Sequence, residues 1–215
     1  MYVPHLEKLA GQHCWFYPNR TLFWEEEKTL VLADTHFGKT GHFRKHGIGL
    51  SDQIATADLH TFFHALQLTG AKNVLVVGDM FHSHHNQELE RFLQWRQDHA
   101  NVNIQLVQGN HDQLKKDWYQ KADIELVAGL LHKGPFSFVH DPAHAAQAPK
   151  GQFIFSGHLH PGFYLGPASK GAGKMPCFYV KHQHCILPAF SRFSGMALVK
   201  PKKGETLLLL HDQTI

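Results

Sequence analysis

A chain of 215 residues with 43% hydrophobic residues is long enough to bury a substantial core and fits one large domain, residues 1–215, better than two small ones. No run approaches the roughly eighteen apolar residues of a membrane span, and the first ten residues lack a signal-peptide apolar region, so a soluble cytoplasmic protein with no membrane partner is expected. The net charge of +3 suits a polyanionic partner without matching the strongly basic domains that coat DNA, while 20 histidines beside 18 acidic residues point toward metal.

The first element is an apolar strand over residues 29–33 that runs into Asp34-Thr-His36. A helix follows from an N-cap at Ser51, with Ile54, Leu59, Phe62, Phe63 and Leu66 as its apolar stripe and Gly70 as its stop. The second strand, 73–77, ends on Gly78-Asp79, and a second helix over 87–99 carries Leu89, Phe92, Leu93 and Trp95. A third strand, 104–107, runs into Gly109-Asn110-His111-Asp112. This β-α-β-α-β order predicts neighbouring parallel strands whose carboxyl ends open on one crevice. Beyond residue 120 the pattern changes to short strands at 124–127, 136–139, 153–155, 177–180, 197–199 and 206–210, with a flexible loop over 166–176. That shift is read as a change of layer rather than of domain.

Ligand-type residues recur at strand ends: Asp34/His36, Asp79, Asn110, His140 and His158/His160. On extended backbone, residues two apart point the same way, so each pair can serve one ion. The glycines before Asp79, Asn110 and His158 allow close backbone approach. Donors of imidazole, carboxylate and amide oxygen without thiolate favour Mn²⁺, Fe²⁺ or Zn²⁺. A structural zinc site would want four closed ligands rich in cysteine, and Cys14, Cys177 and Cys185 fall outside these motifs as buried free thiols of a reducing compartment. His5, His13, His60, His64 and His99 carry no motif.

In order, Asp-x-His, Gly-Asp, Gly-Asn-His-Asp, a later His and Gly-His-x-His resemble the calcineurin-like metallophosphoesterase superfamily, over about residues 29–165. The resemblance implies a four-layer αββα sandwich, two packed mixed sheets flanked by helices, holding two divalent metals, Mn²⁺ first. It assigns Asp34, His36 and His160 to one ion and Asn110, His140 and His158 to the other, with Asp79 bridging. Such a pair can share a hydroxide and hold both the attacking and leaving oxygens of a phosphate ester. The resemblance places His111 toward substrate as general acid, with Asp112 either orienting its ring or capping a helix. His82, where relatives carry Asp, is expected to hydrogen-bond a ligand, and His84 and His85 to face solvent.

Local wording narrows the likeness. Trp15-Phe-Tyr-Pro, Phe37-Gly-Lys39, Phe43-Arg44-Lys-His-Gly-Ile, Gly78-Asp-Met-Phe-His, His140-Asp-Pro and Leu187-Pro-Ala-Phe are similar to the bacterial ligase-associated DNA damage response endonucleases. Thr35, where Leu is common, and Gly195-Met196, where a Gly-Gly pair is, depart from that pattern without touching a ligand. This likeness implies manganese-dependent cutting of single-stranded DNA in repair, alongside a DNA ligase, a helicase and an exonuclease. Lys39 and Arg44 are the candidate phosphate clamps. Phe37 and Phe43 fit the core better than a base. Arg192 fits either a rim contact or a solvated turn, and Lys200, Lys202 and Lys203 a solvated loop. The alternative is a small-molecule or cyclic-nucleotide phosphodiesterase or phosphatase with the same centre; a scaffold that has lost catalysis is a more distant reading, since every ligand position is filled.

Overall fold

The computed structural model describes residues 2–39, 52–82, 87–166, 173–211 and 214–215, without the side chains of 52–55 and 87. Arg44, Phe43, Ser51, His84 and His85 lie outside the described residues.

The fold is α/β, two packed mixed sheets with few helices. In the first sheet the strands lie in chain order: β1 (His5–Leu9), β2 (Gln12–Tyr17), β3 (Thr21–Trp24), β4 (Thr29–Leu32), β5 (Asn73–Val77), β6 (Asn103–Val107) and β7 (Ile124–Val127). β1 to β4 are antiparallel neighbours and β4 to β7 parallel ones. The crossovers between β4, β5 and β6 carry α1 (Asp52–Thr69) and α2 (Gln87–Asp98), and α3 (Lys116–Lys121) precedes β7.

The second sheet contains β8 (Leu130–Lys133), β9 (Phe136–Val139), β10 (Phe153–Ser156), β11 (Pro161–Tyr164), β12 (Lys174–Val180), β13 (His184–Ile186), β14 (Ala197–Leu198) and β15 (Thr206–Leu209). Its order is β14-β11-β12-β13-β10-β9-β8, with β15 beside β12 and with β9, β10 and β13 parallel. On this sheet the expected outer helices are not found among the described residues, where a short 3₁₀ helix, Pro142–Gln147, links β9 to β10.

Side-chain alternation explains why the first sheet is covered on both faces. Leu30, Leu32, Val74 and Val76 point to the helices, where Phe62, Phe92 and Trp95 close the core. Val31, Ala33, Leu75 and Val77 point to the second sheet and meet Phe136, Phe138, Phe155 and Phe178. Trp24 on Phe136 and Phe16 on Phe178, at centroid distances of 4.7 and 4.8 Å, are edge-to-face pairs worth about 0.5–1.5 kcal/mol each beyond their buried area. Cys14, Cys177 and Cys185 are unpaired and buried. Burial pushes the Cys14 and Cys177 thiols up to about 12, so they are packing groups. Among the described residues no helix is long and apolar enough to cross a membrane.

Candidate metal centre

The parallel strands β4, β5 and β6 of one sheet, and β9 and β10 of the other, all end at the same edge of the sandwich. Past β4 and β5 the chains stay paired: Asp34 N–H donates to Gly78 O at 3.0 Å and His36 N–H to Asp79 O at 3.0 Å. Thr35 adds its hydroxyl to Met80 O at 2.8 Å. The two sheets are stitched by Asp34 Oδ2, which accepts the His158 amide at 3.0 Å, and by Val77 O, which lies 3.1 Å from His140 Nδ1.

Seven side chains expected from the sequence meet here. One group is Asp34, His36 and His160, the other Asp79, His140 and His158, with donor atoms in each within 4.8 Å of one another. His160 Nε2 stands 3.3 Å from Asp34 Oδ1, His140 Nε2 3.4 Å from Asp79 Oδ2, and His158 Nδ1 3.2 Å from His140 Nε2. Asn110 joins the second group through Oδ1, 3.1 Å from His140 Nε2. Donors about 2.0–2.2 Å from a shared ion sit roughly 3–3.6 Å from each other, which is this spacing. Asp34 Oδ1 and His36 Nδ1 are sealed from solvent without a hydrogen-bond partner, an arrangement that a buried cation would explain.

The backbone adds a second signature. Among the described residues nine non-glycine positions have positive φ, and five of them are Asp34 (54°), His36 (47°), Asp79 (51°), His158 (65°) and His160 (49°). The paired residues therefore converge through left-handed turns and not by alternation along an extended strand. Such conformations cost of order 1–3 kcal/mol each and cluster at functional sites held by their surroundings. The glycines act as expected: a Cβ on Gly78 would enter the His140 ring, one on Gly109 would strike Asp79, and one on Gly157 would stand 2.7 Å from Asp34 Oδ2.

Electrostatics divides the histidines. Burial, with Lys39 nearby, lowers His36 to about 3, so its ring is neutral with one nitrogen lone pair to offer. Burial would lower His140 too, but the hydrogen bond to Asp79 and the charge of Asp34 raise it to about 9. Burial would raise Asp79, yet the hydrogen bond and charge of His140 and the His111 amide hold it at about 2. Two buried carboxylates thus capture a proton on His140, and the same field attracts a cation.

Around this centre, His111 donates its amide to Asp79 Oδ1 at 2.8 Å, and its ring lies 5.6 Å from that of His36 and 4.6 Å from that of His82. His82 packs on His36 at 5.3 Å. Lys39 Nζ donates to Phe193 O at 3.3 Å and faces the charges of Asp34 and Asp79. Phe37 is core, against Phe62 and Phe81. A cavity of about 400 Å³ opens beside Asn110, His140 and His158, with Gly129, Asp141 and His144 across it.

Asp112 takes neither role expected of it. Its Oδ1 accepts the Met80 and Phe81 amides at 2.9 and 3.1 Å and its Oδ2 the Gly109 amide at 2.9 Å, rather than meeting the His111 ring. The helix that follows is capped at Lys115. Asp112 locks the turn after β5 to the turn after β6, because both turns leave amides outside the strand ladder that a buried carboxylate can collect. Asp112→Ala strands those amides, each worth about 1–3 kcal/mol when buried and unpaired. Urea unfolding is expected to show a loss of roughly 3 kcal/mol or more; a loss under about 1 kcal/mol would contradict this role. Sequence reading also missed Val77 O and Gly195 O, the carbonyls that meet His140 and His160. Backbone acceptors leave no mark in residue type.

No family model and no curated protein matches the sequence. Among solved structures, Pseudomonas putida nuclease MPE superposes with a TM-score of 0.81 at 26% identity over 97% of each chain. The chain resembles a metallophosphoesterase-type nuclease. The Escherichia coli phosphoesterase YfcE also matches, at 13% identity and a TM-score of 0.41, over 74% of this chain and 77% of its own.

Proposed function

We propose that this protein, read as one domain over residues 1–215, is a two-metal phosphodiesterase and a nuclease that cuts single-stranded DNA. The observation that carries the reading is the convergence of two adjoining donor groups on strained backbone at one edge of the sandwich. The overall likeness to a nuclease supports the substrate class. Asp34, His36 and His160 would hold one divalent ion and Asn110, His140 and His158 the other, with Asp79 between them. Hard and borderline donors favour Mn²⁺, with Fe²⁺ and Zn²⁺ also fitting. Bound there, two cations supply Lewis-acid charge for the phosphoryl oxygens and lower the pKa of water.

The chain's own groups divide the remaining work. His111, fixed through its amide to Asp79, holds a proton at the exposed rim for the leaving oxygen. Lys39, tethered to Phe193 O and facing the centre, meets a non-bridging phosphate oxygen. His82 packs on the rings of His36 and His111 and keeps them in place. Arg44 is proposed as a second phosphate contact from its charge and its place in the sequence just after the first motif. The sequence resemblance supports a DNA-repair role beside a DNA ligase, a helicase and an exonuclease.

The experiment is Mn²⁺-supplemented hydrolysis of single-stranded DNA, 2′,3′-cyclic nucleotides and a chromogenic diester by metal-stripped protein. DNA cleavage that needs metal is expected; turnover of the small esters with intact DNA would favour the small-molecule alternative, for which the cavity beside His140 leaves room.

Metal binding is also expected to depend on pH with a defined sign. The proton on His140 is held to about 9, against about 6.5 in an unfolded chain, so its stabilisation of the metal-free protein is complete below about 6.5 and lost as pH rises through about 9. A cation must displace that proton, so Mn²⁺ affinity is expected to climb by up to about tenfold per pH unit between 7 and 9. Titrations at fixed ionic strength check this, and a flat profile would remove His140 from the ligand set.

A further inference from the structure

The chain after β13 forms a strap, residues 187–195, and its anchors lie outside the donor groups. Arg20, in the β2–β3 turn with φ of 68°, donates through one guanidinium nitrogen to Ala189 O at 3.1 Å and Ser191 O at 2.9 Å. From α1, Asp58 is 7% exposed, accepts the Arg192 amide at 3.3 Å and the Ser191 hydroxyl, and faces the charges of Arg20 and Arg192. Between these anchors Phe190 enters the helix-side core.

The strap then touches the centre repeatedly. Phe190 N–H donates to Ala33 O at 2.8 Å and Ser191 N–H to Asp34 O at 3.2 Å. Phe193 O receives Lys39, and Gly195 O lies 3.1 Å from His160 Nδ1. A carbonyl only accepts, so that contact puts the proton on Nδ1 and leaves the Nε2 lone pair facing Asp34 Oδ1 at 3.3 Å. Burying the Asp58 carboxylate costs several kcal/mol before its pairing with the half-buried Arg20 and the exposed Arg192. A loop that needed only to be closed could be held by apolar side chains instead.

We infer that Arg20 and Asp58 are positioning residues for the metal centre: they set the path of the strap so that the Gly195 carbonyl holds His160 in its metal-binding tautomer. The inference rests on the reading of Asp34 and His160 as metal ligands. Loss of a carbonyl partner behind a ligating histidine weakens metal binding by about tenfold to a hundredfold.

The test measures Mn²⁺ binding to metal-stripped protein by the paramagnetic resonance of free Mn²⁺, alongside the Mn²⁺ dependence of diester hydrolysis. Arg20→Met and Asp58→Asn are expected to raise the Mn²⁺ Kd by about tenfold or more, with turnover recovering at high metal, and Arg20→Lys to regain part of the affinity. Arg96→Met is the control: Arg96 is buried more deeply than the half-buried Arg20, bonds Ala122 O and Asp123, and does not touch the strap, so it should lower Tm and leave Mn²⁺ binding alone. Should Arg20→Met fail to fold, the near-isosteric Asp58→Asn carries the test. Variants that lose Tm but bind Mn²⁺ like the unaltered chain would overturn the positioning role alone. An unaltered chain that binds no Mn²⁺ would overturn the metal-centre reading and this inference with it.

Discussion

Asp79→Asn is expected to lower metal-dependent hydrolysis by roughly a thousandfold or more, about 4 kcal/mol of transition-state stabilisation, and to leave fewer than two ions bound per chain. Asparagine keeps the size of the side chain and is among the residues best suited to the left-handed backbone at φ 51°, so the change is chiefly one of charge. What disappears is the carboxylate that stands 3.4 Å from His140 Nε2 and receives the His111 amide. His140 then loses its strongest hold on a proton, since the hydrogen bond to Asp79 leads the influences that raise it. Metal content measured beside the kinetics decides the matter: an Asp79→Asn chain that keeps both ions and most of its rate would show that Asp79 does not join the two donor groups.

His111→Ala is expected to act differently, keeping both ions and losing about 10²–10⁴ in kcat. The ring is not among the converging donors, whereas its amide already holds Asp79, and an alanine keeps that amide. The loss should be smallest for an ester whose leaving group needs no proton, such as a nitrophenolate, and largest for DNA. Equal losses on both substrates, or a fall in metal content, would mean that His111 shapes the centre rather than supplying a proton.

Much of this centre was legible because it is local. Gly78 before Asp79 and Gly109 before Asn110 announce turns in which only hydrogen fits, and the apolar run Asn73–Val77 announces the strand that delivers them. The first three strands were harder to see: β2 and β3 bury Cys14, Phe16, Leu22 and Trp24 only because a second sheet covers them, and that sheet comes more than a hundred residues later. The left-handed turns at Asp34, His36, His158 and His160 could not be read at all. Aspartate and histidine tolerate that conformation better than most residues but rarely adopt it unaided, and it persists because neighbouring strands hold both ends. Asp112 misled for a similar reason, since its partners Met80 and Phe81 are supplied by another strand end. Arg20 could not be singled out in the sequence, since its partner Ala189 lies 169 residues further along the chain.

The most direct measurement is cleavage of circular single-stranded DNA by metal-stripped protein, with and without added Mn²⁺. A circle has no ends, so linear product reports internal cutting. Intact circles are expected in chelator, and linear, then shorter, strands once Mn²⁺ is restored, with at least about a thousandfold less product from Asp79→Asn. Circles that stay intact with Mn²⁺, Fe²⁺ or Zn²⁺ at high protein concentration, or that are cut equally well in chelator, would contradict a metal-dependent DNA phosphodiesterase.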